Sequence, residues 1–308
     1  MFELQGHRGA RGLWPENTLT GFARAIELGV SAVELDCGVT RDGVVVVSHD
    51  PELNPDCTRD ARGRFLASPG PLLRDLTYGE LEAYDVGRLR PGSLYAARFP
   101  TQEPLDGERI PRLADVLTLV RTRGRGRVRV AIEVKTFPEQ PHLTPAPAEF
   151  VAAVRVDLQQ TGTTALVSVL AFDWRVLRAV QQLLPQVATA ALTEEQPDED
   201  TVRSGAPSPS PWLAGLDPRD FDGSIVRLVR ASGAGTWGPD YLDLDAKRVE
   251  QAHALGLKVV PWTVNEVTDM ERLLAFNVDG MITDRPDVLR ALLERSGVAV
   301  PPAAQERP

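Results

Sequence analysis

The run Ala32-Val33-Glu34-Leu35-Asp36 sets two carboxylates two residues apart, alternating with apolar side chains. In an extended strand alternate side chains share a face, so Glu34 and Asp36 point one way and Val33 and Leu35 the other. A second run, Val130-Ala131-Ile132-Glu133-Val134-Lys135, puts Glu133 and Lys135 opposite Val130, Ile132 and Val134 in the same manner. Three carboxylates converging in a buried place are costly and drift towards their protonated forms. A cation resolves that cost. An all-oxygen donor set selects a hard ion, Mg²⁺ or Ca²⁺, over zinc.

Two of the four histidines, His7 in Gly6-His7-Arg8-Gly9 and His49 in Ser48-His49-Asp50, each close an apolar strand-like run. The other two, His142 and His253, fall in a loop and on a helix and are read as incidental. Paired imidazoles above inward carboxylates suit general acid–base work, because imidazole titrates near neutrality. Lysine is scarce: among 34 basic residues only Lys135, Lys247 and Lys258 are lysine. An ammonium at an inward strand end therefore hints at a need for a compact cation, which suits a phosphate oxygen. Three carboxylates, a divalent ion, Arg8, Lys135 and a monoanionic phosphodiester carry no net formal charge together.

Positioning these groups takes a parallel sheet. Strands are expected over 2–6, 32–38, 128–134, 165–171, 187–192, 239–244, 257–262 and 278–283, separated by amphipathic segments. Leu19, Phe22, Ala23 and Ile26 occupy one helical face, as do Ile110, Leu113, Leu117 and Val120, with Pro111 expected in a first turn. Val288, Leu289, Leu292 and Leu293 repeat the pattern behind Pro286. Eight strands, each followed by a helix, predict an α/β fold that closes as a (β/α)8 barrel, with catalytic groups at the C-terminal strand ends. A doubly wound open sheet is the rival. Val44–Ser48 reads as an extra strand opening an insertion over 50–109. Residues 194–218, rich in Pro, Ser, Glu and Asp, read as a mobile loop. One domain over 1–297 and a disordered tail over 298–308 complete the expectation.

The chain has 308 residues and a net charge of −9 without a basic patch, which argues against nucleic acid as a partner. Cys37 and Cys57 are expected as free thiols. No stretch is apolar enough to span a bilayer, and no signal peptide is visible, so the cytoplasm is the expected location, with a periplasmic or secreted enzyme as the alternative if a leader was trimmed. The oligomeric state is left open.

Taken in order, Gly6-His7-Arg8-Gly9-Ala10, Pro15-Glu16-Asn17-Thr18, Glu34-Leu35-Asp36, Thr40-Arg41-Asp42-Gly43 and Ser48-His49-Asp50 resemble the glycerophosphodiester phosphodiesterase family. Ile132-Glu133-Val134-Lys135, Pro261-Trp262-Thr263-Val264-Asn265 and Thr283-Asp284-Arg285-Pro286 extend the likeness over most of residues 5–287. The resemblance implies a TIM barrel with a small insertion after strand two, acting on a small-molecule glycerophosphodiester in glycerol and lipid metabolism. It implies one divalent cation (Mg²⁺ or Ca²⁺, with Mn²⁺ able to serve) on Glu34, Asp36 and Glu133, and His7 and His49 as the acid–base pair. Arg8 and Lys135 would hold the phosphate, Trp262 would line the glycerol or leaving-group side, and Glu16 and Asn17 would brace the rim. Cys37-Gly38 and Pro55-Asp56-Cys57-Thr58 depart from the family pattern, which bears on substrate choice. Rival readings are a lysophospholipase D-like or other phospholipid diesterase on the same barrel, and a catalytically inactive binding barrel.

Overall fold

The computed structural model describes residues 2–303. Its strands are β1 (Glu3–Gly6), β2 (Ala32–Val39), β3 (Val45–Val47), β4 (Arg129–Val134), β5 (Val167–Ala171), β6 (Ala188–Thr193), β7 (Thr236–Pro239), β8 (Lys258–Val259) and β9 (Gly280–Thr283). Its helices are α1 (Leu19–Leu28), α2 (Tyr78–Leu81), α3 (Leu94–Ala97), α4 (Leu113–Arg123), α5 (Pro147–Thr161), α6 (Trp174–Leu183), α7 (Ile225–Ala231), α8 (Ala246–Ala254), α9 (Val267–Ala275) and α10 (Pro286–Arg295).

Every strand pair except β2–β3 is parallel, in the order β8-β7-β6-β5-β4-β2-β1-β9. Three backbone bonds join the two ends of that order: Asp279 N–H to Val259 O, Ile282 N–H to Pro261 O and Val264 N–H to Ile282 O, each 2.9 Å. The sheet is thus an eight-stranded (β/α)8 TIM barrel, and the open-sheet rival is excluded. β3 lies outside the ring, antiparallel to β2, as the extra strand was expected to do.

Strand alternation divides the apolar residues into two layers. Val33, Leu35, Ile132 and Val169 face outwards and pack with Phe22, Phe150, Trp174 and Leu289 from the helices. Ala131, Leu170, Ala190, Leu192, Val260 and Ile282 face the axis, packed against Phe172 and Trp262. Glu34, Asp36 and Glu133 share the axial parity, so the fold delivers all three carboxylates to the barrel interior. A separate small core of Val46, Leu53, Leu73, Leu81 and Ile110 holds the insertion, including α2, on the barrel.

Five expectations need correction. The strand placed at 239–244 is β7 at Thr236–Pro239, and residues 241–243 form a 3₁₀ turn capped by the Asp240 side chain. The alternation of Tyr241, Leu242, Asp243 and Leu244 mimics a strand. Gly238 conceals the true one, where a Cβ would meet the Leu192 side chain at 2.6 Å. Of 257–262 only Lys258–Val259 is regular strand, and beyond it the backbone follows its neighbours through single bonds. Pro111 precedes the N-cap Arg112 of α4 and does not enter the first turn, because its carbonyl is tied to the Val47 N–H. The 194–218 segment is packed: Val202 and Leu213 are buried and Ser210 Oγ donates to Thr201 O at 2.6 Å. Composition averages away such single apolar anchors. Of the expected disordered tail, Val298 and Val300 lie against the core, and Arg290 donates to Pro301 O at 2.7 Å. Residues 304–308 lie outside the described residues.

Candidate active site

β1 ends in a turn that needs two glycines. A Cβ on Gly6 would meet Gly9 O at 2.0 Å, and Gly9 has φ +92°. The turn exposes His7 at the rim and places Arg8, itself at φ +49°, beside the carboxylates. The Arg8 N–H donates to Glu34 Oε2 at 2.9 Å, its Nη1 to Glu16 Oε1 at 2.7 Å, and its Nε lies 3.1 Å from Asp36 Oδ2. Arg8 is therefore paired with Glu16 as well as Asp36, which adds a negative charge absent from the balance drawn from the sequence.

His7 Nδ1 lies 2.6 Å from Asp284 Oδ1, and Asp284 also accepts from Arg11 Nε at 2.9 Å and Asn265 Nδ2 at 2.8 Å. Burial pushes the Asp284 carboxyl up, but His7 and Arg11 more than reverse that and hold it far below the usual carboxylate range. An ionised carboxylate only accepts, so Nδ1 carries the proton and Nε2 presents a lone pair to the cavity. Burial, with Arg11 next, lowers the imidazole to about 4 despite Asp284, so His7 is neutral at pH 7. His49 is one-third exposed, with Nδ1 at 2.7 Å from Asp50 Oδ1, and Asp50 is anchored in turn by Asn54 Nδ2 at 2.7 Å.

Glu34, Asp36 and Glu133 each offer an oxygen within 4.8 Å of the other two, and all three residues are buried. Burial, then Asp36 and Glu133, push the Glu34 carboxyl well above its usual range. Burial also acts to raise Asp36, but Arg8 and Lys135 overcome it and hold that carboxyl well below. Asp36 Oδ2 accepts from Asn17 Nδ2 at 3.0 Å, while Oδ1 is buried without a hydrogen-bond partner. Lys135 Nζ stands 2.8 Å from Glu133 Oε1 and 3.3 Å from Asp36 Oδ1. Three crowded, buried carboxylates, one of whose oxygens makes no hydrogen bond and faces the Lys135 ammonium at 3.3 Å, are the donor set a hard divalent cation needs, and the residues fit one.

The ten residues singled out from the sequence converge here. Glu16 and Asn17 stand in the turn before the α1 N-cap Thr18. Trp262 closes one wall of a cavity of about 400 Å³ that His7, Arg8, Glu34, His49, Glu133 and Lys135 also line. A larger groove of about 500 Å³ runs between α7 and α8, but it contains neither histidine nor any of the buried carboxylates. Sequence reasoning missed Asp284, Arg11, Asp50, Asn265 and Tyr95. Asp50 and Asp284 lay inside recognised motifs, Asp50 directly after the strand-end His49 and Asp284 directly after the end of β9, and those positions were the available signal. Tyr95, from α3, had none: its hydroxyl reaches Glu16 and lies 3.1 Å from Arg11 Nη1 only because the insertion folds over the rim.

Asp284 acts through His7. Asp284→Asn should lower kcat about 10- to 100-fold with little change in KM, by loosening the ring and its tautomer. Steady-state kinetics across pH check this, and an unchanged kcat with an unchanged pH profile would remove Asp284 from the catalytic apparatus.

The model of the glycerophosphoryl diester phosphodiesterase family matches residues 7–288. A glycerophosphodiester phosphodiesterase of Caldanaerobacter subterraneus is 29% identical over 94% of this chain and 97% of its own length. Among solved structures, a Silicibacter pomeroyi DSS-3 protein with a provisional assignment as a glycerophosphoryl diester phosphodiesterase superposes with a TM-score of 0.85 at 35% identity, covering 96% of this chain and 94% of that one. An Oleispira antarctica phosphodiesterase, solved with its product sn-glycerol-3-phosphate, shares the fold at a TM-score of 0.68 and 22% identity, covering 94% of this chain and 96% of that one. Among the described residues no helix is long and apolar enough to cross a membrane.

Proposed function

This chain belongs to the glycerophosphoryl diester phosphodiesterase family and is a phosphoric diester hydrolase of that class, and from that premise we propose metal-dependent hydrolysis of glycerophosphodiesters to glycerol 3-phosphate and an alcohol, with His7 and His49 as the acid–base pair. The observation that carries this reading is one cavity lined by two histidines, each anchored at Nδ1 by a carboxylate, above three buried carboxylates. The product bound by the Oleispira antarctica relative agrees with it.

His7 is the first base. Its Nε2 is unprotonated and held in place, so it takes the proton from the glycerol C2 hydroxyl as that oxygen attacks phosphorus. His49, more open to solvent, gives its proton to the departing alcohol oxygen. A five-membered cyclic phosphate forms, and the P–O bond to the alcohol breaks. Water then opens the ring with the two roles exchanged: His49 removes a proton from water and His7 returns one to the C2 oxygen. Arg8 and Lys135 face the phosphoryl oxygens from the β1 and β4 ends. Glu16, Asn17 and Tyr95 fix Arg8 and Asp36, so these charges are in place before substrate arrives. Glu34, Asp36 and Glu133 would hold the divalent cation, which supplies charge stabilisation at a phosphoryl oxygen. One oxygen from each of three carboxylates suits Mg²⁺, which keeps near-octahedral geometry and leaves further positions to water or substrate.

Incubating the purified chain with a panel of glycerophosphodiesters should release glycerol 3-phosphate and the matching alcohol. Absence of turnover with every diester and with Mg²⁺, Mn²⁺ and Ca²⁺ each supplied would overturn the proposal.

A further inference from the structure

The catalytic cavity has a counterpart at the N-terminal end of the barrel. Axial side chains recur at every second strand residue, and towards that end several are small: Ser168 below Leu170 on β5, and Ala188 and Ala190 below Leu192 on β6. Barrel axes are ordinarily filled by layers of bulky branched side chains. Here the small residues leave a cavity of about 210 Å³. Leu170, Leu192 and Ile282 line both this space and the catalytic cavity, so they form the wall between the two.

The lining of this second cavity is not apolar throughout. Gln5, only 6% exposed, stands on it. Its Nε2 donates to Glu3 Oε2 at 2.8 Å, which fixes the amide's orientation, since the reverse would set its oxygen against a carboxylate. Among the described residues Gln5 Oε1 is then buried without a hydrogen-bond partner. An unpaired buried acceptor is costly, so the site lacks a donor. The hydroxyls of Ser168 and Thr236 line the same space. At the mouth Glu3 is the one carboxylate among the described lining residues, and it pairs with Arg129 and, at 3.7 Å, with Lys258. Two cations against one acid leave the mouth one positive charge in excess. A metal is not the match, because among the described residues only Glu34, Asp36 and Glu133 cluster closely enough to hold one.

We infer that this cavity is a second binding site, which takes a small hydroxylated carboxylate from the N-terminal face of the barrel. From the mouth inwards the lining offers a net positive rim, a lone acceptor and an aliphatic floor of Leu170, Leu192, Val260 and Ile282. A short hydroxy acid meets these in that order. Its carboxylate faces Arg129 and Lys258, its hydroxyl donates to Gln5 Oε1, and its methyl end packs on the floor. Water satisfies Gln5 but gains nothing from the floor or from the excess charge. A simple short-chain acid leaves Gln5 Oε1 unpaired, and a neutral alcohol leaves the charge unanswered.

The test separates the hydroxyl from the charge. The purified chain is titrated by NMR with 3-hydroxybutyrate, with butyrate, which lacks the hydroxyl, and with butane-1,3-diol, which lacks the charge. 3-Hydroxybutyrate should bind about tenfold tighter than butyrate, the scale of one buried acceptor left unpaired. It should also bind tighter than the diol, by a margin that shrinks as salt is added. Ala190→Leu fills the cavity from a position outside the catalytic lining and should abolish binding while circular dichroism shows the fold retained. Gln5→Met keeps the bulk without the acceptor and should bring 3-hydroxybutyrate down to the affinity of butyrate, which carries the test if Ala190→Leu does not fold. Equal or absent binding of the three probes, the result for a cavity that holds water only, overturns the inference. Binding that survives these substitutions unchanged places the ligand elsewhere and overturns it too.

Discussion

His7→Asn lowers kcat by roughly 10²–10⁴, the usual contribution of one positioned acid or base, while the protein remains folded. Asparagine keeps a donor near the Nδ1 position, so Asp284 retains a partner and Arg11 and Asn265 keep theirs. What is lost is the Nε2 lone pair, which has no structural partner: its nearest carboxylate oxygen, on Glu34, is 3.9 Å away. His49→Asn should fall in the same range. Because the two residues act on opposite ends of one displacement, the double variant should be little worse than either single one. Circular dichroism and melting curves establish folding, and kcat is read on any diester the wild type hydrolyses. Either single variant retaining more than about a tenth of the wild-type rate removes that histidine from the acid–base pair.

Removing divalent ions should abolish turnover, and Mg²⁺, Mn²⁺ or Ca²⁺ should each restore at least part of it. A binding measurement tests the same site without reference to rate. Burial with Asp36 and Glu133 raises Glu34 well above the usual carboxylate range. The cation-free site therefore holds a proton there as pH falls, and the ion must displace it. Affinity should rise with pH, and calorimetry in buffers of different ionisation enthalpy should show net proton release on binding. Glu34→Gln, which cannot release that proton, should bind more weakly and lose the proton signal. A fully active preparation without bound metal, or tight pH-independent binding by Glu34→Gln, would place the cation elsewhere or remove the need for one.

The catalytic groups were legible in the sequence because strand parity is a local rule. Glu34 and Asp36 are two residues apart on one strand, so they must share a face whatever surrounds them. The barrel followed from the count of eight strands and helices, and β3 from a short apolar run. Errors arose where local pattern and tertiary context disagree. Tyr241–Leu244 alternates like a strand but lies past the Pro239 strand end, and the loop at 194–218 owes its order to two buried side chains, Val202 and Leu213, within a polar segment.

The sequence by itself determined which side chains could do chemistry and that the barrel axis would receive them. Tertiary structure alone decided how they are tuned. Asp284 reaches His7 across 277 residues and Tyr95 reaches Glu16 across 79, separations that no periodicity reports. Those contacts fix the imidazole tautomer and occupy Arg8, and only ring closure brings Glu194 and Trp262 to the cavity that His7 and His49 line. Residue type and spacing set a side chain's direction along its own strand. Its proton, its partners and the wall it faces depend on which distant strand ends the closed sheet brings beside it.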